Sequence, residues 1–243
     1  MIRTYTKIAA LDDTLRIWRY MDFTKFANLV LTGKLWFNRI DCFQDVYEGT
    51  YPKQNIDILQ RKILRVGGSN FRGGKIIEKS FRKRMYVCCF HQNEFESDAM
   101  WKLYAHSGGV AVKTNIGRIK RALEFSNQDI IISRVKYIDF DSEGFLDNNV
   151  INLGVYKRKS FEYEQEVRLL FISEERDNPE TGIPIQVNVN ELLSEVYISP
   201  YAPSYLAPTL RSFLEKMNLN VPVIKSPLLD LNKRGDCNGQ TKF

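Results

Sequence analysis

Histidine is nearly absent from this chain of 243 residues, which carries His91 and His106 alone. That scarcity nearly excludes multi-histidine metal centres and mechanisms that pass protons between imidazoles. Cysteine is sparse too: Cys42, Cys88, Cys89 and Cys237 show no Cys-x-x-Cys spacing. Adjacent Cys88 and Cys89 would point to opposite faces of a strand, which suits core thiols better than a disulfide or a zinc site. No apolar run approaches the roughly 18 to 20 residues of a membrane span, and the start Met-Ile-Arg-Thr-Tyr-Thr-Lys lacks a signal-length apolar stretch. A cytoplasmic protein with no membrane partner is expected. Walker, Gly-x-Gly-x-x-Gly, His-Glu-x-x-His and Gly-x-Ser-x-Gly motifs are all missing, and with them the strongest short signatures of nucleotide folds and common hydrolases.

What is present is an ordinary globular composition, 44% hydrophobic and 26% charged, long enough to bury a sizeable core. The expectation is one domain over about residues 1–229, a basic insertion or lid at about 50–84, and a polar, flexible tail over 230–243. The net charge of +6 is uneven. Between Arg61 and Arg84, nine residues are Lys or Arg (Arg61, Lys62, Arg65, Arg72, Lys75, Lys79, Arg82, Lys83, Arg84) and Glu78 is the lone acid. Such a patch can attract a polyanion, or it can be a solvated basic helix and loop, since the interleaved aromatics are limited to Phe71 and Phe81.

Strand patterns are read at Ile17–Tyr20, Leu35–Asn38, Met85–Phe90, Val110–Thr114, Ile130–Tyr137, Ile185–Val189, Glu195–Ser199 and Val221–Ile224. Asp22 and Gly33 bracket one helix, Ser97 caps a second, Ile116, Ile119 and Leu123 mark a third face, and 204–217 reads as a fourth helix. Strands and helices do not alternate regularly, so the fold class is α+β, with largely antiparallel mixed sheets and a few short helices.

The segment Ser160 to Ile172 alternates, and as a strand it would put Glu162, Glu164, Glu166 and Arg168 on one face. Same-face neighbours stand roughly 7 Å apart, so their repulsion must be offset by Arg168 and the Lys157-Arg158-Lys159 run, or used to hold a ligand. Arg19 lies in an otherwise apolar strand, where a guanidinium needs a carboxylate or phosphate; Asp45 or Glu48 could be its structural partner. Asp45 and Glu48 could equally cap their own loop, or gather a metal with Glu164 and Glu166. Met100, Trp101 and Tyr104 have the spacing of a helical core face, although Trp101 or Tyr104 could line a cleft and stack a ring.

In its order of an Arg on the first strand, a polar or imidazole residue closing a central strand and a later Glu-x-Glu, the chain resembles ADP-ribosyltransferases. Arg19, His91 and Glu164 or Glu166 are the corresponding positions. The Ser-Thr-Ser middle motif common in those enzymes is replaced here by Cys89-Phe90-His91. Over most of its length the chain also resembles the bacterial family catalogued as domain of unknown function 2971. The residues involved are Trp18-Arg19-Tyr20, Leu35-Trp36-Phe37-Asn38, Asp45-Val46-Tyr47-Glu48-Gly49, Cys89-Phe90, Met100-Trp101-Lys102-Leu103-Tyr104, Gly109-Val110-Ala111-Val112, Lys157-Arg158 with Phe161-Glu162-Tyr163-Glu164-Gln165-Glu166-Val167-Arg168, and Ile198-Ser199-Pro200. Members of that family look like parts of phage-defence or toxin systems.

The first resemblance implies NAD as co-substrate and no metal. Arg19 would hold the pyrophosphate, and Tyr20, His91, Trp101 and Tyr104 would border the donor. Glu166 would orient the ribose, and Glu164 would position or deprotonate a nucleic-acid or protein acceptor. Two other classes compete: a non-catalytic module in which Arg19, Asp45, Glu48 and Arg168 form a polar network and the basic patch binds nucleic acid or a protein, and a metal-dependent nuclease.

Overall fold

The computed structural model describes residues 2–3, 11–65, 78–145, 147, 149–175 and 179–230. Residues 66–77, which hold Arg72 and Lys75 of the basic stretch and much of the expected lid, and the tail from 231 lie outside these residues. The structure is α+β, built on a large, mostly antiparallel sheet with short helices on its faces.

The chain enters through β1 (Ile2–Arg3) and β2 (Arg16–Asp22). Asp22 then caps α1 (Phe23–Thr32) by accepting from the Lys25 amide at 2.8 Å, and Gly33, at φ 65°, ends it in the left-handed conformation. Phe26, Leu29 and Val30 form the buried face of α1. Strand β3 (Lys34–Arg39) follows, then the loop to Gly49 and the basic helix α2 (Lys53–Arg65). A further helical stretch, α3, covers 78–82.

Strand β4 (Met85–Gln92) is the apolar run expected of a central strand. It leads through α4 (Asp98–Tyr104), capped by Ser97, to β5 (Gly109–Asn115) and α5 (Ile116–Ala122). The expected strand to Tyr137 is two: β6 (Ile130–Arg134) and β7 (Lys136–Ile138), parted at Val135, whose amide donates to Glu166 O. Next come α6 (Asn152–Val155), β8 (Tyr156–Arg158), β9 (Glu166–Ile172), β10 (Gly182–Gln186), α7 (Val189–Leu192), β11 (Glu195–Ile198), α8 (Leu206–Lys216) and β12 (Val223–Lys225).

Among the described residues the main sheet has the order β1-β6-β9-β4-β2-β5-β11-β12, with β3 and β10 branching from β4. Only β1/β6 and β11/β12 pair in parallel within it; β7 and β8 form a separate parallel pair. Strand β4 changes partner along its length. Val87 and Tyr86 pair with β3, while His91 and Gln92 pair with Trp18 and Ile17 of β2. The sheet therefore forks beside β4.

Pleat alternation sorts the side chains. One face carries Ile17, Met21, Cys88, Phe90, Val112 and Leu169 into the larger core, covered by α1, α5 and α8. The other carries Trp18, Tyr20, Val87, Cys89, His91, Glu166, Arg168 and Leu170. Part of it meets a second core around Tyr51, Phe145, Leu153 and Val155, and part meets the aromatic cluster of Trp18, Tyr20 and Trp101.

Candidate active site

The Glu-rich segment departs from the expected continuous strand. Lys159–Glu164 is a 3-10 turn, Gln165 takes the left-handed conformation at φ 40°, and β9 begins only at Glu166. The charge alternation that mimics a period of two is therefore split. Glu162 is exposed, whereas Glu164 and Glu166 are each 5% exposed and their carboxyls meet.

Lys157, at the centre of β8, reaches between them. Its Nζ donates to Glu164 Oε2 at 2.5 Å and to Glu166 Oε1 at 2.7 Å, and lies 3.1 Å from Glu48 Oε1. Arg168, wholly buried, donates from Nε to Glu166 Oε2 at 2.7 Å and in a fork to both oxygens of Glu48 at 2.9 and 3.0 Å. It also donates to Gly154 O. Three carboxylates thus face two cations, and the surplus negative charge settles unevenly. Burial raises the Glu164 carboxyl to about 7, helped by its hydrogen bond with Glu166 and only partly opposed by Lys157. Burial also acts on Glu166, but Arg168 and Lys157 outweigh it and hold that carboxylate well below its usual range.

Tyr104, from the end of α4, donates its hydroxyl to Glu164 Oε1 at 2.8 Å while its ring stays half exposed. Burial beside Glu164 pushes the phenol up, so it stays a donor. His91 Nδ1 lies 2.6 Å from Glu164 O, and the Tyr137 hydroxyl accepts from the Glu166 amide at 2.8 Å. A cleft of ≈ 230 Å³ opens beside Glu166, lined by Gln92, Arg134, Tyr137, Glu162 and Gln165.

Other expected site residues fall elsewhere. Arg19 does not pair with Asp45 or Glu48: Asp45 binds Arg158 at 2.7 Å and caps the Tyr47 amide, while Glu48 binds Arg168. Arg19 instead projects from the face opposite Glu166, at the fork, donating to Cys89 O at 2.7 Å and to Cys88 Sγ at 2.9 Å. Trp101 cannot stack a ligand here, because it is fully buried, donates to Glu96 and packs on the edge of Tyr20. Tyr20 is nearly as covered and accepts from the Ser97 amide. In the sequence Lys157 is one of several cations able to offset the glutamates, and Tyr137 is only the last residue of a strand pattern; neither position marks a site, since both stand on three-residue strands whose neighbours come from elsewhere in the chain.

Among the described residues no group of three or more His, Cys, Asp or Glu is arranged to hold a metal ion, and no helix is long and apolar enough to cross a membrane. No protein-family model and no curated protein matches the chain, so the likeness to the domain of unknown function 2971 family rests on short motifs.

Solved structures of Thermus sp. 2.9 DarT are similar to it at low identity. The complex with NAD+ is 8% identical with a TM-score of 0.43, covering 89% of this chain and 98% of that one. The complex with ADP-ribosylated ssDNA is 9% identical with a TM-score of 0.42, covering 93% and 98%. The complex with carba-NAD+ is 8% identical with a TM-score of 0.40, covering 88% and 96%.

Proposed function

We propose that this chain breaks the N-glycosidic bond of NAD, passing ADP-ribose to a nucleic-acid or protein acceptor or to water, as a bacterial toxin or phage-defence enzyme would. The observation that carries the reading is the pair Glu164 and Glu166: adjacent carboxyls whose surroundings drive their proton affinities apart. Such divergence is how one site holds both a permanent anion and a proton carrier near neutrality. Choosing NAD as the donor follows the order of Arg19, His91 and Glu-x-Glu along the chain, on β2, on β4 and across the turn that enters the neighbouring β9.

In this reading the bond from ribose C1′ to the nicotinamide nitrogen breaks, and its electron pair leaves with nicotinamide. Glu166, permanently ionised at the cleft wall, stabilises the oxocarbenium-like ribose. An acceptor or water oxygen attacks C1′, and its proton passes to the ionised fraction of Glu164, whose affinity near 7 suits a general base at neutral pH. Tyr104, half exposed, and Tyr137 in the cleft wall offer aromatic surface to the nicotinamide. A donor seated on the carboxylate face would meet Arg19 only through the fork between β2 and β3.

The competing reading, a structural polar network, draws on the saturation of Arg168, whose donors are taken by Glu48, Glu166 and Gly154. Incubation with labelled NAD separates the two, comparing wild type with Glu166→Gln and Arg19→Ala and scoring nicotinamide release and label transfer to RNA, DNA or protein. Turnover lost in both folded variants supports the transferase; a wild type that neither binds nor consumes NAD sinks it.

A further inference from the structure

We propose that His91 is a positioning residue that holds the 159–165 turn closed, and so keeps the Glu164 carboxyl against Glu166. This role rests on the reading of that pair as the working carboxyls. A main-chain carbonyl only accepts, so the 2.6 Å contact to Glu164 O assigns the ring proton to Nδ1 and leaves Nε2 bare. Nε2 is buried with no hydrogen-bond partner among the described residues, so the bond to Glu164 O is the polar contact the imidazole makes there. Burial also lowers the affinity of the ring for a second proton, which keeps this neutral tautomer.

The position of His91 matches the task. It stands opposite Glu166 in the β4/β9 register, and the next amide, Gln92 N, donates to Gln165 O at 2.8 Å. The end of β4 thereby grips both residues of the bend. Without that grip, residues 160–166 have an alternative available in their own sequence, a regular extended strand. There Glu164 and Glu166 would stand roughly 7 Å apart as same-face neighbours, with Glu164 turned out from its contacts. The charged and titratable groups facing Glu164 are Glu166, Lys157 and Tyr104, with Glu48 and Arg168 behind them on Lys157 and Glu166; those facing His91 are Tyr20 and Glu166.

The test compares wild type with His91→Ala, His91→Gln and His91→Asn. The Glu164 midpoint is followed by NMR of ¹³C-carboxyl glutamate, assigned with Glu164→Gln, and NAD consumption is measured alongside. Asn carries an N–H as many bonds from Cα as Nδ1; Gln carries it one carbon too far. Ala and Gln are expected to lower the Glu164 midpoint by about one pH unit, a tenfold loss of proton affinity, and to lower kcat about tenfold with KM within about twofold. Asn retains most of both. If Ala does not fold, the contrast of Asn with Gln carries the test. An unmoved midpoint in folded Ala or Gln variants overturns the proposal, as does an Asn variant no better than Gln. A shifted midpoint in a protein that never consumes NAD supports the positioning role and rejects the NAD reading.

Discussion

At the scale of single residues, the two neighbouring glutamates should respond to pH in opposite senses. Glu164 binds its proton more tightly folded than unfolded, so the folded state holds the excess proton between about 4.5 and 7. Stability contributed by Glu164 is therefore present at low pH, lost as pH rises through that window, and constant above it. Relative to Glu164→Gln, wild type should lose about 1 to 2 kcal/mol across the window in urea titrations, a figure reduced for solvent reaching the carboxyl beside Tyr104. Glu166 works the other way: its affinity is depressed, so its contribution is present above the ordinary carboxylate range and disappears as pH falls below it. Glu166→Gln leaves Arg168 and Lys157 short of a countercharge and should cost about 3 kcal/mol at pH 7 in the same measurement. Tyr104→Phe deletes one hydrogen bond from a half-exposed ring. It should change stability by less than about 1 kcal/mol while shifting the pH profile of NAD consumption upward, because a Glu164 carboxylate that loses this donor holds its proton more tightly.

At the scale of elements, the 3-10 turn and the helix that carries Tyr104 shape the site. Gln165, at φ 40°, occupies backbone space that side chains disfavour. Gln165→Gly should stay within about 0.5 kcal/mol of wild type, since relief of strain offsets the extra freedom of the unfolded chain, whereas Gln165→Val should lose about 2 kcal/mol by thermal or urea unfolding. Gly109 meets α4 closely, and a Cβ there would stand 2.4 Å from Ala105 Cα and O. Gly109→Ala should therefore cost about 2 kcal/mol or more and reduce turnover as well, because the displaced helix carries Tyr104 away from Glu164.

At the scale of the whole molecule, the carboxylate cluster is assembled from distant parts of the chain: Glu48 from the loop after β3, Tyr104 from α4, Lys157 from β8, and Glu164 to Arg168 from the turn and β9. The carboxylates already have lysine and arginine partners, so NAD consumption should be unchanged by EDTA in a release assay. A loss restored by added Mg²⁺ or Mn²⁺ would turn the assignment to the metal-dependent alternative.

Much of the fold was legible because it is local. The apolar run at 85–90 marked β4, Asp22 and Gly33 marked both ends of α1, and Ser97 marked the start of α4, each through one turn of hydrogen bonding or burial. Composition alone likewise required that Glu164 and Glu166 find cations or a ligand, since carboxylates this close cannot be buried unpaired. Which partners they found depended on the folded chain. It sent Arg19 to the opposite sheet face, buried Trp101, delivered Lys157 and Glu48, and bent 159–165 so that two carboxyls came to share one space. The reason is physical: pairings across as many as 120 residues depend on strand register and on which face of the pleat each side chain takes. Local composition encodes neither.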